Sequence, residues 1–116
     1  MKTIVAGSRT ILDYETVRQA IKHCGFTITE IVSGTAKGPD KLGEKWAAEN
    51  NIPIKRFPSN WDEYGKAAGY KRNQKMAGYA DALIAIWDGK SKGTLHMINL
   101  AKKAGLKVFV SLHLDT

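Results

Sequence analysis

Three times along this chain a short apolar run is followed by a loop of Gly, Ser and Thr and then by a helix-forming segment. The loops are Gly7-Ser8-Arg9, residues 33–38 and residues 88–94. In a parallel α/β sheet every strand-to-helix loop emerges at the same edge, so these loops can meet around one crevice lined with backbone N–H groups. The pattern therefore predicts an anion site, and above all a phosphate site, at that edge.

The rest of the chain continues this alternation of strands and helices. The unbroken apolar run at 82–86 predicts a strand buried on both faces at the centre of a parallel sheet. Asp13 is a good N-cap, and Pro39 suits the first turn of a helix. The predicted strands are 3–6, 30–33, 52–57, 81–87 and 107–112, and the predicted helices are 13–23, 38–50, 70–79 and 93–104. Residues 58–69 are predicted to be irregular.

Five strands and four helices in this order predict one Rossmann-like domain over residues 1–116, a three-layer α/β sandwich with a doubly wound parallel sheet. Two strand orders compete. The order 3-2-1-4-5 places loops 7–9 and 88–94 on either side of the switch point, whereas 2-1-3-4-5 moves that point to the first and third strands. The chemistry of the loops favours 3-2-1-4-5.

Composition narrows the class of protein. The net charge of +7, from 18 Lys and Arg against 11 Asp and Glu, indicates an acidic ligand or partner. No apolar stretch is long enough to span a bilayer, and the N-terminus runs directly into a strand pattern rather than a signal peptide, so a cytoplasmic protein without a membrane partner is expected. Because Cys24 is the only cysteine and the three histidines are dispersed, no disulfide, metal site or cofactor is predicted.

The loops do not match the common nucleotide-binding fingerprints. Neither the Walker A spacing nor Gly-x-Gly-x-x-Gly is present. Ser33, Ser91 and Thr94 place hydroxyl groups beside predicted helix N-termini, where an anion is favoured, although N-capping alone would explain each of them.

Several side chains near these loops have two possible roles. Arg9 can bind a phosphate bidentately, or it can pair with Asp40 or Asp88. Arg72 can clamp a phosphate and Asn73 can recognise a ribose hydroxyl or a base edge, or both can brace the long loop before them.

Three further residues are equally open. Asp40 can hold a ribose hydroxyl or cap its helix, and Trp61 can stack on a base or anchor its loop to the core. His96 can act as a general base, contact the ligand or cap its helix.

The motifs also carry a family resemblance. They are Gly7-Ser8-Arg9, the segment 33–40, Trp61, the segment 65–73 and the segment 81–94. In this order and spacing the chain resembles the DUF2493 branch (YspA/YpsA-related) of the SLOG superfamily, Rossmann-like domains of bacteria and phages. The superfamily includes phosphoribohydrolases, DNA-processing recombination mediators and sensors of nucleotide signals derived from NAD or ADP-ribose. The resemblance implies a nucleotide-like ligand and a homo-oligomer, commonly a dimer.

The resemblance does not imply a reaction. In the phosphoribohydrolases, glutamates follow the last loop, whereas here Gly93-Thr94 is followed by Leu95-His96-Met97-Ile98. The missing carboxylate favours capture of the ligand over cleavage, and no catalytic residue is assigned.

The resulting hypothesis is a sensor or sponge, of phage type, that holds a nucleotide or a nucleotide-derived signal, such as an ADP-ribose-like or cyclic nucleotide, by its phosphates. The predicted ligand-binding residues are Gly7, Ser8, Arg9, Ser33, Gly34, Thr35, Asp40, Trp61, Arg72, Asn73, Asp88, Ser91, Gly93, Thr94 and His96.

Two alternatives remain. One is a nucleotide N-glycosidic hydrolase that uses Asp40, Asp88 or His96. The other is a single-stranded nucleic-acid-binding protein, suggested by the net charge and by the basic group Lys66, Lys71, Arg72 and Lys75, and it ranks last because no long basic stripe with interleaved aromatics is present.

Overall fold

A five-stranded parallel sheet forms the middle layer of the structure, a computed structural model that describes residues 1–114. The strands are β1 (Lys2–Gly7), β2 (Glu30–Ser33), β3 (Ile54–Arg56), β4 (Ala82–Trp87) and β5 (Lys107–Leu112). The helices are α1 (Tyr14–His23), α2 (Pro39–Glu49), α3 (Trp61–Tyr64), α4 (Ala68–Tyr79) and α5 (Lys92–Lys103), and a 3-10 turn (Gly65–Ala67) joins α3 to α4.

The strand order is β3-β2-β1-β4-β5, which confirms the predicted Rossmann-like order and rules out 2-1-3-4-5. β1 pairs with β2 on one side, from Lys2 opposite Glu30, and with β4 on the other, from Thr3 opposite Ala82. The switch point therefore lies between β1 and β4, and the loops that follow these strands flank it.

Helices cover both faces of the sheet. Along β4, residues 82–86 are each 0% exposed, which confirms the prediction of a central strand buried on both faces. Alternate side chains point to opposite faces. Leu83 packs with Met76 of α4 and Met97 of α5, whereas Ile84 packs on the other face with Val17 of α1 and Ala47 of α2.

The segment 58–69 holds the main correction to the predicted elements, because residues 61–69 of it are helical. Asn60 caps α3 by accepting a hydrogen bond from the N–H of Glu63 at 3.1 Å. The 3-10 turn then leads into α4, which begins at Ala68, before the predicted start at residue 70. β3 is also shorter than predicted, since only residues 54–56 pair with β2.

Within residues 1–114, none of the helices combines the length and the apolar character that crossing a bilayer requires.

Candidate ligand-binding site

A cavity of about 450 Å³ opens at the carboxyl ends of β1 and β4. Its lining comes from the end of β1 and the loops after β1 and β4, from the start of α2, and from α3, the 3-10 turn, α4 and α5. The predicted site residues that line it are Gly7, Ser8, Arg9, Asp40, Trp61, Arg72, Asn73, Asp88, Ser91, Gly93 and Thr94. The structure thus brings most of the predicted set together at the switch point.

The loops after β1 and β4 are tied to each other by Ser8. Its N–H group donates to the carbonyl of Ile86 at 2.9 Å, and its hydroxyl accepts from the N–H of Asp88 at 3.0 Å. The carboxylate of Asp88 accepts from the N–H groups of Lys90 and Ser91, each at 2.8 Å. These hydrogen bonds lower the pKa of Asp88, so its negative charge holds the turn together.

Arg9 lies exposed at the rim of this cavity. In the described part of the chain it forms no ion pair with Asp40 or Asp88, the structural role considered for it above. Its fork of donors is therefore available to a ligand.

The N-terminus of α5 forms another wall. Ser91 is the N-cap, and its hydroxyl accepts from the N–H of Thr94 at 3.3 Å and from the Thr94 hydroxyl at 3.1 Å. The first intrahelical bond runs from the N–H of Leu95 to the carbonyl of Ser91, at 3.2 Å. The N–H groups of Lys92 and Gly93 precede that bond, so this end of α5 presents donors and a positive dipole to an anion.

The segment at the end of β2 has a structural role rather than a place in the cavity lining. Ser33 is fully buried, and its hydroxyl donates to a Glu44 carboxylate oxygen at 2.6 Å and accepts from the N–H of Thr35 at 3.0 Å. The carbonyl of Gly34 accepts from Nη1 of Arg72. Ser33, Gly34 and Thr35 do not line the cavity. The hydroxyl group of Ser33 is directed to Glu44 of α2, and the carbonyl of Gly34 is directed to Arg72. From this region Ala36 and Asp40 line it instead.

Asp40 is a carboxyl group buried in the cavity wall, only 4% exposed. One oxygen accepts from the N–H of Ala36 at 3.2 Å. Burial raises the pKa of Asp40 to about 6, while the positive charges of Arg72 and Arg9 oppose the rise. A carboxyl group with this pKa can exchange a proton near neutral pH.

Arg72 and Asn73 join α4 to two of the loops. Nε of Arg72 donates to the Asn73 side-chain oxygen at 2.8 Å, and burial lowers the pKa of Arg72. Nδ2 of Asn73 approaches the Gly93 carbonyl at 3.5 Å and Nδ1 of His96 at 3.3 Å. Both residues therefore brace the site and also line it.

His96 does not line the cavity. Its ring stands edge-on to Tyr70, with 4.5 Å between ring centres. Burial lowers the pKa of His96, which keeps the ring neutral at pH 7 and able to accept from Asn73. His96 therefore lies behind Asn73 and supports the wall from outside.

The mouth of the cavity carries two exposed aromatic side chains. Trp61 is 59% exposed and Tyr70 is 47% exposed, so neither anchors its segment in the core. A planar group can stack on the exposed ring of Trp61, whereas the ring of Tyr70 is already in contact with His96.

The predicted site omitted part of the lining. These residues are Ala6, Thr10, Ala36, Lys66, Gly69, Tyr70, Met76 and Met97. Helical spacing from Asn73 could have found two of them, because Gly69 and Met76 lie one turn before and after it on α4. Within residues 1–114, no three His, Cys, Asp or Glu side chains come together as metal ligands would.

A parallel sheet of order β3-β2-β1-β4-β5, with helices on both faces and a cavity at its switch point, defines the class of Rossmann-like α/β domains. The chain is a member of the YspA, cpYpsA-related SLOG family (YAcAr), whose family model matches residues 1–64.

Two relatives come from a phage and a prophage. Gene 61 protein of Mycobacterium phage D29 is 33% identical over 117 residues, which cover 92% of this chain and 93% of that protein. YoqJ, an uncharacterised protein of the SPbeta prophage in Bacillus subtilis strain 168, is 28% identical over 98 residues, which cover 68% of this chain and 56% of YoqJ.

A solved structure has the same fold. The crystal structure of DNA processing protein A (DprA) from Streptococcus pneumoniae matches 94% of this chain with a TM-score of 0.75 and 23% identity. The match spans 49% of the DprA chain, so this chain corresponds to about half of it.

Proposed function

We propose that this protein binds a nucleotide or a nucleotide-derived signal by its phosphate groups and acts as a sensor or sponge for it. The observation that carries the proposal is the meeting of Arg9, Arg72 and the N-terminus of α5 around one cavity at the switch point. Arginine forks and helix N-termini are the groups that proteins use most readily for phosphate. Trp61 adds a surface for a base.

The proposal is tested by binding. Isothermal titration or thermal-shift measurements with ADP-ribose, cyclic ADP-ribose isomers, nucleotides and cyclic oligonucleotides should find a ligand that stabilises the protein. Arg9→Ala should lower its affinity at least tenfold, about the effect of losing a charge-assisted hydrogen bond to phosphate.

Arg18→Ala is the matched control for Arg9→Ala. Arg18 is an arginine of α1 that pairs with Glu15 and does not line the cavity. Arg18→Ala should leave the affinity for the ligand unchanged, because Arg18 lies outside the cavity. It should also change stability little, because exposed ion pairs of this kind contribute little to the free energy of unfolding. No stabilisation by any phosphorylated compound, or equal effects of the two substitutions, would contradict the proposal.

A second function is favoured by one observation, the buried carboxyl group of Asp40 with its raised pKa. In this alternative, Asp40 acts as acid or base in hydrolysis of the N-glycosidic bond of a bound nucleotide. Chromatography of incubated ligands distinguishes the two functions, since the hydrolase releases free base and ribose phosphate while the sponge returns the ligand intact.

We further propose that the protein works in the cytoplasm as a homo-oligomer, which for a closed assembly is most commonly a dimer. Sedimentation equilibrium of the purified chain tests the assembly, and a monomer at all concentrations would contradict it.

A further inference from the structure

A second, smaller cavity lies on the other side of α4. This groove of about 290 Å³ is bordered by Lys55 and Arg56 of β3, by Arg72 and Lys75 of α4, and by the rings of Phe57 and Tyr64. Within the described residues, no Asp or Glu lines it. The groove is therefore strongly cationic.

Helix α4 is the partition between this groove and the main cavity. Ala68, Arg72 and Lys75 follow one another at helical spacing on the groove side, whereas Gly69, Asn73 and Met76 do so on the cavity side. Arg72 lies at the boundary and lines both. The two spaces thus meet at one guanidinium group.

The hydrogen bonds that Arg72 makes within the protein leave some of its N–H groups able to donate to a ligand. In the part of the chain that the structure describes, it donates from Nε to Asn73 and from Nη1 to the Gly34 carbonyl. A guanidinium has five N–H donors, so these bonds fix its position and still leave donors for phosphate oxygens.

The lysines of the groove stand over its aromatic rings. The ammonium of Lys55 lies 5.7 Å from the ring centre of Phe57, and that of Lys75 lies 5.7 Å from the ring centre of Tyr64. Contacts of this kind hold a cation near a surface without neutralising it. Of the four cationic side chains, Arg56 also has a carboxylate partner, Glu44, at 2.9 Å.

We propose that this groove is a second phosphate subsite, and that the ligand is a molecule with two phosphate-bearing units joined across Arg72. Its chemical class is a phosphodiester-linked dinucleotide unit, either free or at the 5′ end of a strand. The inference rests on the proposed function, since the first unit occupies the main cavity.

The test compares one unit with two. Titration calorimetry uses the 5′-monophosphates of adenosine, guanosine, cytidine and uridine and the matching 5′-phosphorylated dinucleotides. For the base that binds, the dinucleotide should bind about tenfold more tightly than the mononucleotide, the gain expected from one further charge-assisted contact.

Lys75→Glu should remove this advantage and leave the affinity for the mononucleotide unchanged. Lys71→Glu is the matched control, because Lys71 is also exposed on α4, carries the same charge and lines neither space. Lys71→Glu should still bind the dinucleotide about tenfold more tightly than the mononucleotide. Both positions are on the surface, so folding is checked simply by circular dichroism, and Lys75→Ala serves as a milder second variant.

The outcomes separate this inference from the proposed function. Mononucleotide and dinucleotide of equal affinity, or equal losses in the two charge reversals, would overturn the second subsite while the main cavity stands. If no compound of either kind binds, the proposed function fails and the inference fails with it.

A strand of about ten nucleotides of the same base, with a 5′-phosphate, distinguishes the two sources of the ligand. Binding much weaker than that of the dinucleotide identifies a free dinucleotide, whereas equal or tighter binding that is steeply salt-dependent identifies a strand end.

Discussion

Asp40 is almost fully buried in the wall of the cavity, with one backbone N–H group bonded to it and the charges of Arg72 and Arg9 acting on it. Its pKa in the folded protein is about 6, above the ordinary value of 3.8. The folded state therefore binds this proton more tightly than the unfolded state does. The contribution of this group to the free energy of unfolding is complete below about pH 4 and is lost as the pH rises towards 6. At pH 7 the ionised carboxylate therefore destabilises the fold.

Replacing Asp40 with asparagine should remove this cost while keeping the shape of the side chain. We expect Asp40→Asn to raise the free energy of unfolding at pH 7 by about 1–2 kcal/mol, and to flatten its decline between about pH 4 and pH 6. Urea denaturation over this range measures both effects. A less stable variant at pH 7 would mean that the attraction of Arg72 for the carboxylate outweighs the cost of burying it.

Residue types alone could not predict which of the serines near the site line the cavity. Ser8 follows β1 and Ser33 is the last residue of β2, and both are buried in the structure. Ser8 lies at the cavity because its partner, Asp88, belongs to the loop across the switch point, whereas Ser33 is turned away by Glu44 on α2. These partners are tertiary contacts, which become visible only once the elements are assembled.

At the scale of elements, α2 crosses β1 at a very short distance. A Cβ atom at Gly43 would lie 2.7 Å from Cβ of Val5, which is a branch point that cannot move aside. Gly78 on α4 offers the opposite case, because nothing lies within 4 Å of the corresponding position. Substitutions at these two glycines therefore distinguish the effect of packing on stability from the effect of helix propensity.

Gly43→Ala should destabilise the protein by about 1–3 kcal/mol, since the overlap with β1 exceeds the gain in helix propensity. Gly78→Ala should stabilise it by about 0.5–1 kcal/mol, because it gains propensity without a clash. Thermal denaturation of both variants checks the pair. Stabilisation by both substitutions would show that α2 can shift away from the sheet at little cost.

The bounds of some strands and helices could be predicted from the sequence, and those of others could not. β2 and β5 match their predicted bounds because each apolar run is short and clearly bounded. α3 is absent from the predicted elements because a four-residue helix is too short to show a periodic pattern. Gly65, which starts the 3-10 turn after it, has φ of +55°. The end of β3 depends on how much of β2 it pairs with, which is not a local property.

For the whole molecule, burial falls from the centre of the sheet to its edge. Ile84 of β4 is fully buried, with helices covering both faces, while Val110 on the edge strand β5 is 38% exposed. Stability should therefore be concentrated along β1 and β4, the two strands that carry the main cavity.

Ile84→Ala should lower the free energy of unfolding by about 2–5 kcal/mol, because it leaves a cavity between packed layers. Val110→Ala should cost less than about 1 kcal/mol, because much of that side chain is already in water. Chemical denaturation followed by circular dichroism gives both values. Comparable losses at the two sites would mean that the edge strand is covered in solution.

The joint between Ser8 and Asp88 links two loops that are 80 residues apart in the chain. A residue at position 8 whose side chain cannot accept a hydrogen bond would leave the N–H group of Asp88 without this acceptor, so a change in one loop has to be matched by a change in the other. Within residues 1–114 the side chains of Arg9 and Trp61 make no such hydrogen bond, and both are exposed at the rim of the cavity. Among relatives of this chain we therefore expect the residues at these two rim positions to vary first, while the hydrogen bond between Ser8 and Asp88 is retained.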